Sequence, residues 1–171
     1  MARYHATVQS RSPAAETFRY LAAFSNAAEW DPGVLAGEQL DAGPVSAGSR
    51  FRLVVPFLGA RMALTYEVIR FVPDREVLLH AANAVLRSTD RIAVTSAGDG
   101  STVSYDAEVR LRGPLRVLDP LLRPGFRVVA ERATAGLADA LSRRPPGRGT
   151  RTAAAAPARS AGAAKPAAGG P

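Results

Sequence analysis

The stretch Leu115–Leu141, LRVLDPLLRPGFRVVAERATAGLADAL, decides how the rest of the chain is read. Leu115, Leu118, Leu122, Phe126, Val129, Ala133, Leu137 and Leu141 recur at steps of three and four, which places them on one side of a helix. Arg116, Asp119, Arg123, Arg127 and Glu131 fall on the other side, and Asp119–Arg123 and Arg127–Glu131 are i,i+4 pairs of opposite sign. Pro120 suits a first turn capped by Asp119. Pro124 lacks the N–H that a continuous helix needs, so a break is expected between Asp119 and Gly125, with a regular helix from about Phe126. Ala130, Ala133, Gly136 and Ala140 are small enough for that later half to approach a sheet closely. Glycine at position 136 gives up roughly 1 kcal/mol of helix propensity against alanine, which close packing would explain.

Upstream, the period changes from 3.6 to 2. Tyr4, Ala6 and Val8 alternate with polar residues, as in a strand with one buried face. Ser12-Pro13 reads as N-cap and first position of a helix whose inner side carries Phe18, Leu21 and Ala22. Asn26 with Glu29 resembles a capping box for a second, short helix ending near Trp30-Asp31-Pro32. Val34–Leu40 carries little strand signal. Phe51, Leu53, Val55 and Phe57 then alternate with Arg50, Arg52 and Val54, and Met62, Leu64, Tyr66 and Val68 alternate with Arg61, Ala63, Thr65 and Glu67. Turns at Phe57–Ala60 and Val72–Arg75 join strands close in sequence, so antiparallel hairpins are the economical pairing. Arg75–Ala82 is apolar on both faces, which leaves its orientation open. Ser88, Asp90, Ile92 and Val94 share one phase. After the turn Ala97–Gly100, Val103, Tyr105, Ala107, Val109 and Leu111 share another, with charges of both signs opposite them on a face that should be solvated.

The 171 residues suffice for one domain with a real core. The formal net charge is +7, but its source is local. The 29 residues from Arg143 hold six basic groups and no acid, which leaves the first 142 residues at a net +1. A folded part so nearly neutral argues against nucleic acid as its partner. Twenty of the last 29 residues are alanine, proline or glycine without periodicity, the composition of a disordered tail, so the domain boundary falls at 142/143. There is no cysteine, hence no thiol nucleophile or thiolate metal site. The opening Met1–Thr7 lacks the apolar core of a signal peptide, and no run is long enough to span a membrane. A cytoplasmic location is the default expectation.

Strand, two short helices, six strands and a long C-terminal helix is the order of the α+β helix-grip fold: a curved seven-stranded antiparallel sheet around one helix. Several segments carry a closer likeness: Ser12–Leu21, Glu29-Trp30-Asp31-Pro32-Gly33-Val34, Thr89–Ile92, Gly98–Tyr105, and Gly113-Pro114-Leu115 with Asp119-Pro120. Over about residues 3–142 the chain resembles the polyketide cyclase/dehydrase branch of the SRPBCC superfamily. Its relatives include START domains, plant hormone receptors, pollen allergens and aromatase/cyclases. The resemblance implies an elongated apolar cavity between sheet and helix, with no cofactor.

A single sheet bent around one helix leaves volume that the helix cannot fill, and pockets of ~300–1,000 Å³ with few polar groups suit apolar ligands. On this reading Phe51, Leu53, Val55, Met62, Leu64, Tyr66, Ile92, Val94, Tyr105 and Ala107 face inward, while Trp30, Leu122 and Phe126 stand near the mouth. The competing reading is that these side chains simply fill a core. No phosphate loop, HExxH or nucleophile elbow is present, and the only lysine lies in the tail. His5 falls on an outward phase, His80 has none assigned, and two isolated histidines make no metal site.

Asp90 is the polar residue to mark, because its phase points it inward, where an unpaired carboxylate is costly. It is either solvated or arginine-paired at a strand end, or a general acid–base with Tyr66 and Tyr105 orienting a phenolic or keto ligand. Three functions follow: binding of a small hydrophobic or amphipathic molecule (lipid, polyketide or quinone-like), cyclase/dehydratase catalysis by orientation with Tyr66, Asp90 and Tyr105, or a partner protein whose cavity is vestigial.

Overall fold

The computed structural model describes residues 1–57 and 59–144, with side chains at all of these except 118–124. From residue 145 on, the expected tail lies outside the described residues. The elements are β1 (Ala2–Ser10), α1 (Ala14–Ala22), a 3-10 turn at Phe24–Asn26, α2 (Ala27–Trp30), β2 (Ala36–Gln39), β3 (Arg50–Phe57), β4 (Ala60–Val72), β5 (Glu76–Ala82), β6 (Leu86–Ala97), β7 (Gly100–Leu111), a 3-10 segment at Gly113–Leu118, and α3 (Asp119–Arg143).

The seven strands form one antiparallel sheet in the order β1-β7-β6-β5-β4-β3-β2. The first strand therefore closes on the last, and β2, only four residues long, forms the far edge. Register follows the period-2 pattern: Val103, Tyr105 and Ala107 stand opposite Val94, Ile92 and Asp90, all on the inner face. The ambiguous segment resolves as β5 with Val77, Leu79 and Ala81 inward and His80 on the opposite face, its Nδ1 3.2 Å from Thr89 Oγ1.

The sheet has two unlike ends. At one lie the β4–β5 and β6–β7 turns and the link from β1 into α1. There Phe18 packs against Phe71 with the rings tilted by 57° and their centroids 5.4 Å apart, and Leu21, Ile92 and Val103 are almost fully buried. Beneath them a knot of buried hydroxyls is satisfied internally: Thr17 Oγ1 donates to Ser12 O (3.2 Å), Ser101 Oγ to Ser12 O (2.9 Å), and Ser10 Oγ lies 2.9 Å from Thr17 Oγ1. Arg144 closes the corner by stacking 3.4 Å above the Tyr20 ring, whose hydroxyl donates to Glu29 (2.8 Å). Burial, then that bond to Glu29, pushes the Tyr20 phenol up to about 12. The other end, with the β3–β4 turn, the β5–β6 connection and the start of α3, is not sealed in this way.

Four sequence expectations change. The amphipathic stretch is two elements, a 3-10 segment and then α3, which runs unbroken through Pro124. That proline falls in the second turn of a 25-residue helix, where one missing N–H interrupts one bond and leaves the long remainder to hold its direction. Leu115 lies outside α3, and Val129 is half exposed, so the buried stripe runs through Ala130, Ala133, Leu137 and Leu141. Gly136 makes its close approach to the Trp30 carbonyl of α2 rather than to the sheet; a Cβ there would sit 2.0 Å from that oxygen. The expected helix caps are replaced too. Pro13 occupies the N-cap of α1 while the Ser12 carbonyl joins the hydroxyl knot, and Asn26 Nδ2 donates to Tyr20 O instead of closing a box with Glu29.

Candidate functional site

Where α3 crosses the open end of the sheet it leaves two adjoining chambers. The inner one, about 110 Å³, is walled by Trp30, Leu53, Tyr105 and Ala107 and roofed by Ala130 and Ala133 of α3. The outer one, about 360 Å³, is walled by Phe57, Met62, Leu64 and Leu86, with Ala2 and Gly125 also against it. Asp31, Val55, Tyr66, Ser88, Val109, Phe126 and Val129 border both, so the two read as one space narrowing inward. The small residues of α3 leave this volume, because alanine at 130 and 133 cannot reach across to the sheet.

Polar groups gather on one wall. Asp90, only 4% exposed, accepts from Tyr105 Oη (2.6 Å) and from Ser88 Oγ (2.9 Å). Tyr66 stands in the same cluster, close enough to Ser88 and Asp90 for both to act on its phenol. Register explains the assembly: Ser88 and Asp90 are two apart on β6, Ala107 pairs with Asp90, and Tyr105 is the next inward residue of β7. Trp30 packs edge-on against the Tyr105 ring, centroids 5.9 Å apart, and fixes the phenol from the far side.

The electrostatics follow from burial. Loss of water raises the Asp90 carboxyl from 3.8 to about 6, against the pull of the two hydroxyl donors, and the Asp31 charge adds to the rise. Asp31 is itself raised by burial, while the Gly33 N–H donates to its Oδ1 (2.7 Å) and opposes that rise. Burial and then the Asp90 charge hold the Tyr66 and Tyr105 phenols well above their usual range, so both stay neutral donors. Among the described residues no arginine, lysine or histidine borders either chamber. Asp90 is therefore neither solvated at a strand end nor arginine-paired.

Of the residues expected to line the cavity, Trp30, Leu53, Val55, Met62, Leu64, Tyr66, Tyr105, Ala107 and Phe126 border the two chambers. Phe51, Ile92 and Val94 do not: they face inward, as the alternation required, but lie in packed core. Phe51 stands against Phe24 (centroids 6.5 Å apart), and Ile92 and Val94 are toward the sealed end. Trp30 belongs to the inner end of the space rather than to its mouth, being 3% exposed. The Leu122 side chain lies outside the described residues. Sequence reasoning passed over Asp31 and Ser88 as site residues. Asp31 was visible only as the residue after Trp30, and Ser88 as the residue sharing Asp90's phase.

A concave sheet, a single covering helix and a ligand-sized space between them define a helix-grip protein. The sequence profile of the family described as polyketide cyclase / dehydrase and lipid transport matches residues 1–143, and the chain belongs to that family. Among solved structures it is similar to a START superfamily protein from Mycobacterium smegmatis (14% identity, TM-score 0.67, covering 82% of this chain and 97% of that one). It is also similar to the protein TTHA0849 from Thermus thermophilus (15%, 0.64, 82% and 95%) and to the Zhui aromatase/cyclase from Streptomyces sp. R1128 (16%, 0.63, 81% and 90%). At these identities the likeness is one of fold. No curated protein sequence matches. Among the described residues no helix is long and apolar enough to cross a membrane.

Proposed function

We propose that the chain binds a small, uncharged, amphipathic molecule, its apolar body in the outer chamber and a hydroxyl or keto end against Asp90, Tyr105, Ser88 and Tyr66. The observation that carries this is a chamber of about 360 Å³, lined mainly by apolar side chains, running inward to one cluster of buried hydrogen-bonding groups. The volume stands at the lower end of the usual range for ligand pockets, which favours a two- or three-ring polyketide-like compound or a single medium-length chain over a two-chain lipid. With carboxyls and no cation on the wall among the described residues, a ligand carboxylate would meet like charge in a poorly solvated site.

A second reading, catalysis, is favoured by one specific feature: a buried carboxyl titrating at about 6, close to the optimum for proton transfer near neutral pH. In a substrate with several keto groups, the Asp90 carboxylate would take a proton from a carbon between two carbonyls. The resulting enolate carbon would bond to a carbonyl carbon further along, and the new alkoxide would recover the proton from Asp90. Tyr66, held neutral, would donate to a carbonyl oxygen as charge develops, and Tyr105 would do so by turning its single O–H away from Asp90 once that carboxyl carries the proton. Orientation of the chain in the chamber would supply the remainder of the acceleration.

The test is a fluorescence titration with a neutral naphthol, combined with native mass spectrometry and denaturing extraction of the purified protein. Saturable binding is expected, weakened about five- to tenfold by Tyr105→Phe, the range of one buried hydrogen bond. Tyr105→Phe binding as tightly as the parent would remove the polar cluster from the reading. Catalysis would be dropped if Asp90→Asn and Tyr66→Phe left turnover of a polyketone untouched.

A further inference from the structure

On the outer face of the sheet, charged residues set opposite one another in neighbouring strands are paired by opposite sign. Arg3 faces Glu108, Arg52 faces Glu38, Arg50 faces Glu67 and Arg91 faces Asp106. Most of these close into ion pairs: Arg3–Glu108 at 2.6 Å, Arg91–Asp106 at 3.3 Å, and Arg52–Glu38 at 3.5 Å. One pair among the described residues breaks the rule. At the open end Arg87 stands directly opposite Arg110, and like charges across a ladder destabilise it.

Two more arginines join them. Gly113, at φ +57°, turns the chain out of β7 into the 3-10 segment, which carries Arg116, while Arg112 reaches back to donate to Asn83 O (2.8 Å). Arg87, Arg110, Arg112 and Arg116 border a surface concavity of about 310 Å³ with no acidic side chain in its lining among the described residues. Among the described residues only Arg110 of the four has a carboxylate partner, Glu108, which it shares with Arg3. Beside them on the same segment Leu115 is 38% and Val117 80% exposed, large apolar side chains with their faces in water. Arg87 follows Leu86 of the outer chamber, and the segment leads into α3, whose Gly125 and Phe126 border that chamber.

We propose that this rim is a docking face for an anionic phospholipid bilayer, bringing the opening of the cavity against the membrane surface. Four arginines supply attraction to lipid phosphates, and the counter-charge that Arg87, Arg112 and Arg116 lack among the described residues is supplied by the bilayer. Leu115 and Val117 enter the headgroup–acyl boundary, as apolar residues flanked by basic ones do on interfacial segments. The apolar pair is what favours a bilayer over nucleic acid, whose phosphates would leave those side chains without an apolar partner. Docking at this rim does not depend on what the cavity holds.

The test is co-sedimentation of the full chain with vesicles of phosphatidylcholine alone and of phosphatidylcholine mixed with phosphatidylglycerol. Binding is expected only to the mixed vesicles and should weaken with added salt. Arg87→Ser with Arg116→Ser should lower affinity by roughly 25-fold, at about fivefold per arginine. Val117→Asp should also lower it, whereas the basic residues beyond Arg144 contribute equally to parent and variants. Relief of the Arg87–Arg110 repulsion should leave Tm unchanged or slightly higher. Equal vesicle affinity of parent and variants would overturn the proposal. So would a fall in Tm for Arg87→Ser, which would make that residue a structural one. Binding to a short DNA duplex tighter than to anionic vesicles and indifferent to Val117→Asp would overturn it in favour of nucleic acid.

Discussion

The two ends of this core bury polar groups in opposite ways. At the sealed end Ser10, Ser12, Thr17 and Ser101 form a neutral knot in which hydroxyls and a backbone carbonyl satisfy one another, and aromatic packing closes around them. At the open end Ser88, Tyr66 and Tyr105 surround an ionisable carboxyl, Asp90, with Asp31 nearby, and all five border empty space. The first arrangement is complete without a ligand. The second holds a charge in a desolvated place, a cost that a scaffold alone does not require. Buried polarity is therefore structural where it is neutral and self-satisfied, and a candidate site where it titrates and faces a chamber.

That contrast can be broken most sharply at Asp90. Its carboxyl is near 3.8 when unfolded and about 6 when folded, so the native state binds the extra proton between these values. Stability contributed by this group is therefore highest below about pH 4, falls as pH rises, and levels off above about pH 6. Asp90→Asn keeps the acceptor for Tyr105 and removes the charge. Its stability relative to the parent should be near zero at pH 4 and favourable by up to about 3 kcal/mol at pH 7, the equivalent of that shift. Urea denaturation at the two pH values measures it; a difference that does not grow with pH would contradict a desolvated Asp90.

Thr17→Val probes the other end. It conserves volume but deprives Ser10 Oγ of a partner within the knot, and should cost about 2 kcal/mol at every pH from 4 to 8. Naphthol affinity should not change. A pH-dependent loss, or weakened binding, would erase the distinction between the two ends.

A smaller effect is expected from ligand head groups. In a series sharing one medium-length chain, the alcohol should bind roughly tenfold more tightly than the carboxylate at pH 8, a difference of about 1.4 kcal/mol. Competition against the naphthol would show the ranking, and carboxylate preferred to alcohol would contradict the acidic wall. The smallest effect belongs to the outer surface. His5 Nδ1 lies 2.6 Å from Asp106 Oδ1, but both side chains are largely open to solvent, so His5→Ala should change stability by less than about 0.5 kcal/mol.

Much of the fold was legible because one face of nearly every strand is buried. Alternation at Phe51–Phe57, Met62–Val68 and Val103–Leu111 set register, and steps of three and four through Ala130, Ala133, Leu137 and Leu141 located the long helix. The tight turns at Asn26 and Ser12 were misread because their side chains and carbonyls serve tertiary partners, Tyr20 O and the hydroxyl knot, that local capping rules do not contain. Site residues were harder for a related reason. Inward phase is shared by Leu53, which borders a chamber, and by Phe51, Ile92 and Val94, which do not. What separates them is where α1 and the Phe24 turn fill the concave face and where α3 sets the small Ala130 and Ala133 over the sheet. That is a property of three packed elements, and no single strand carries it.

The central claim is that the open end holds a guest in the chamber beside Asp90. Its most direct measurement is the naphthol titration repeated on Leu64→Trp, whose indole would occupy the outer chamber, alongside thermal unfolding of the same protein. A cooperative Tm close to the parent's, with loss of saturable binding, is the predicted result. Unchanged affinity in a folded Leu64→Trp protein would contradict it.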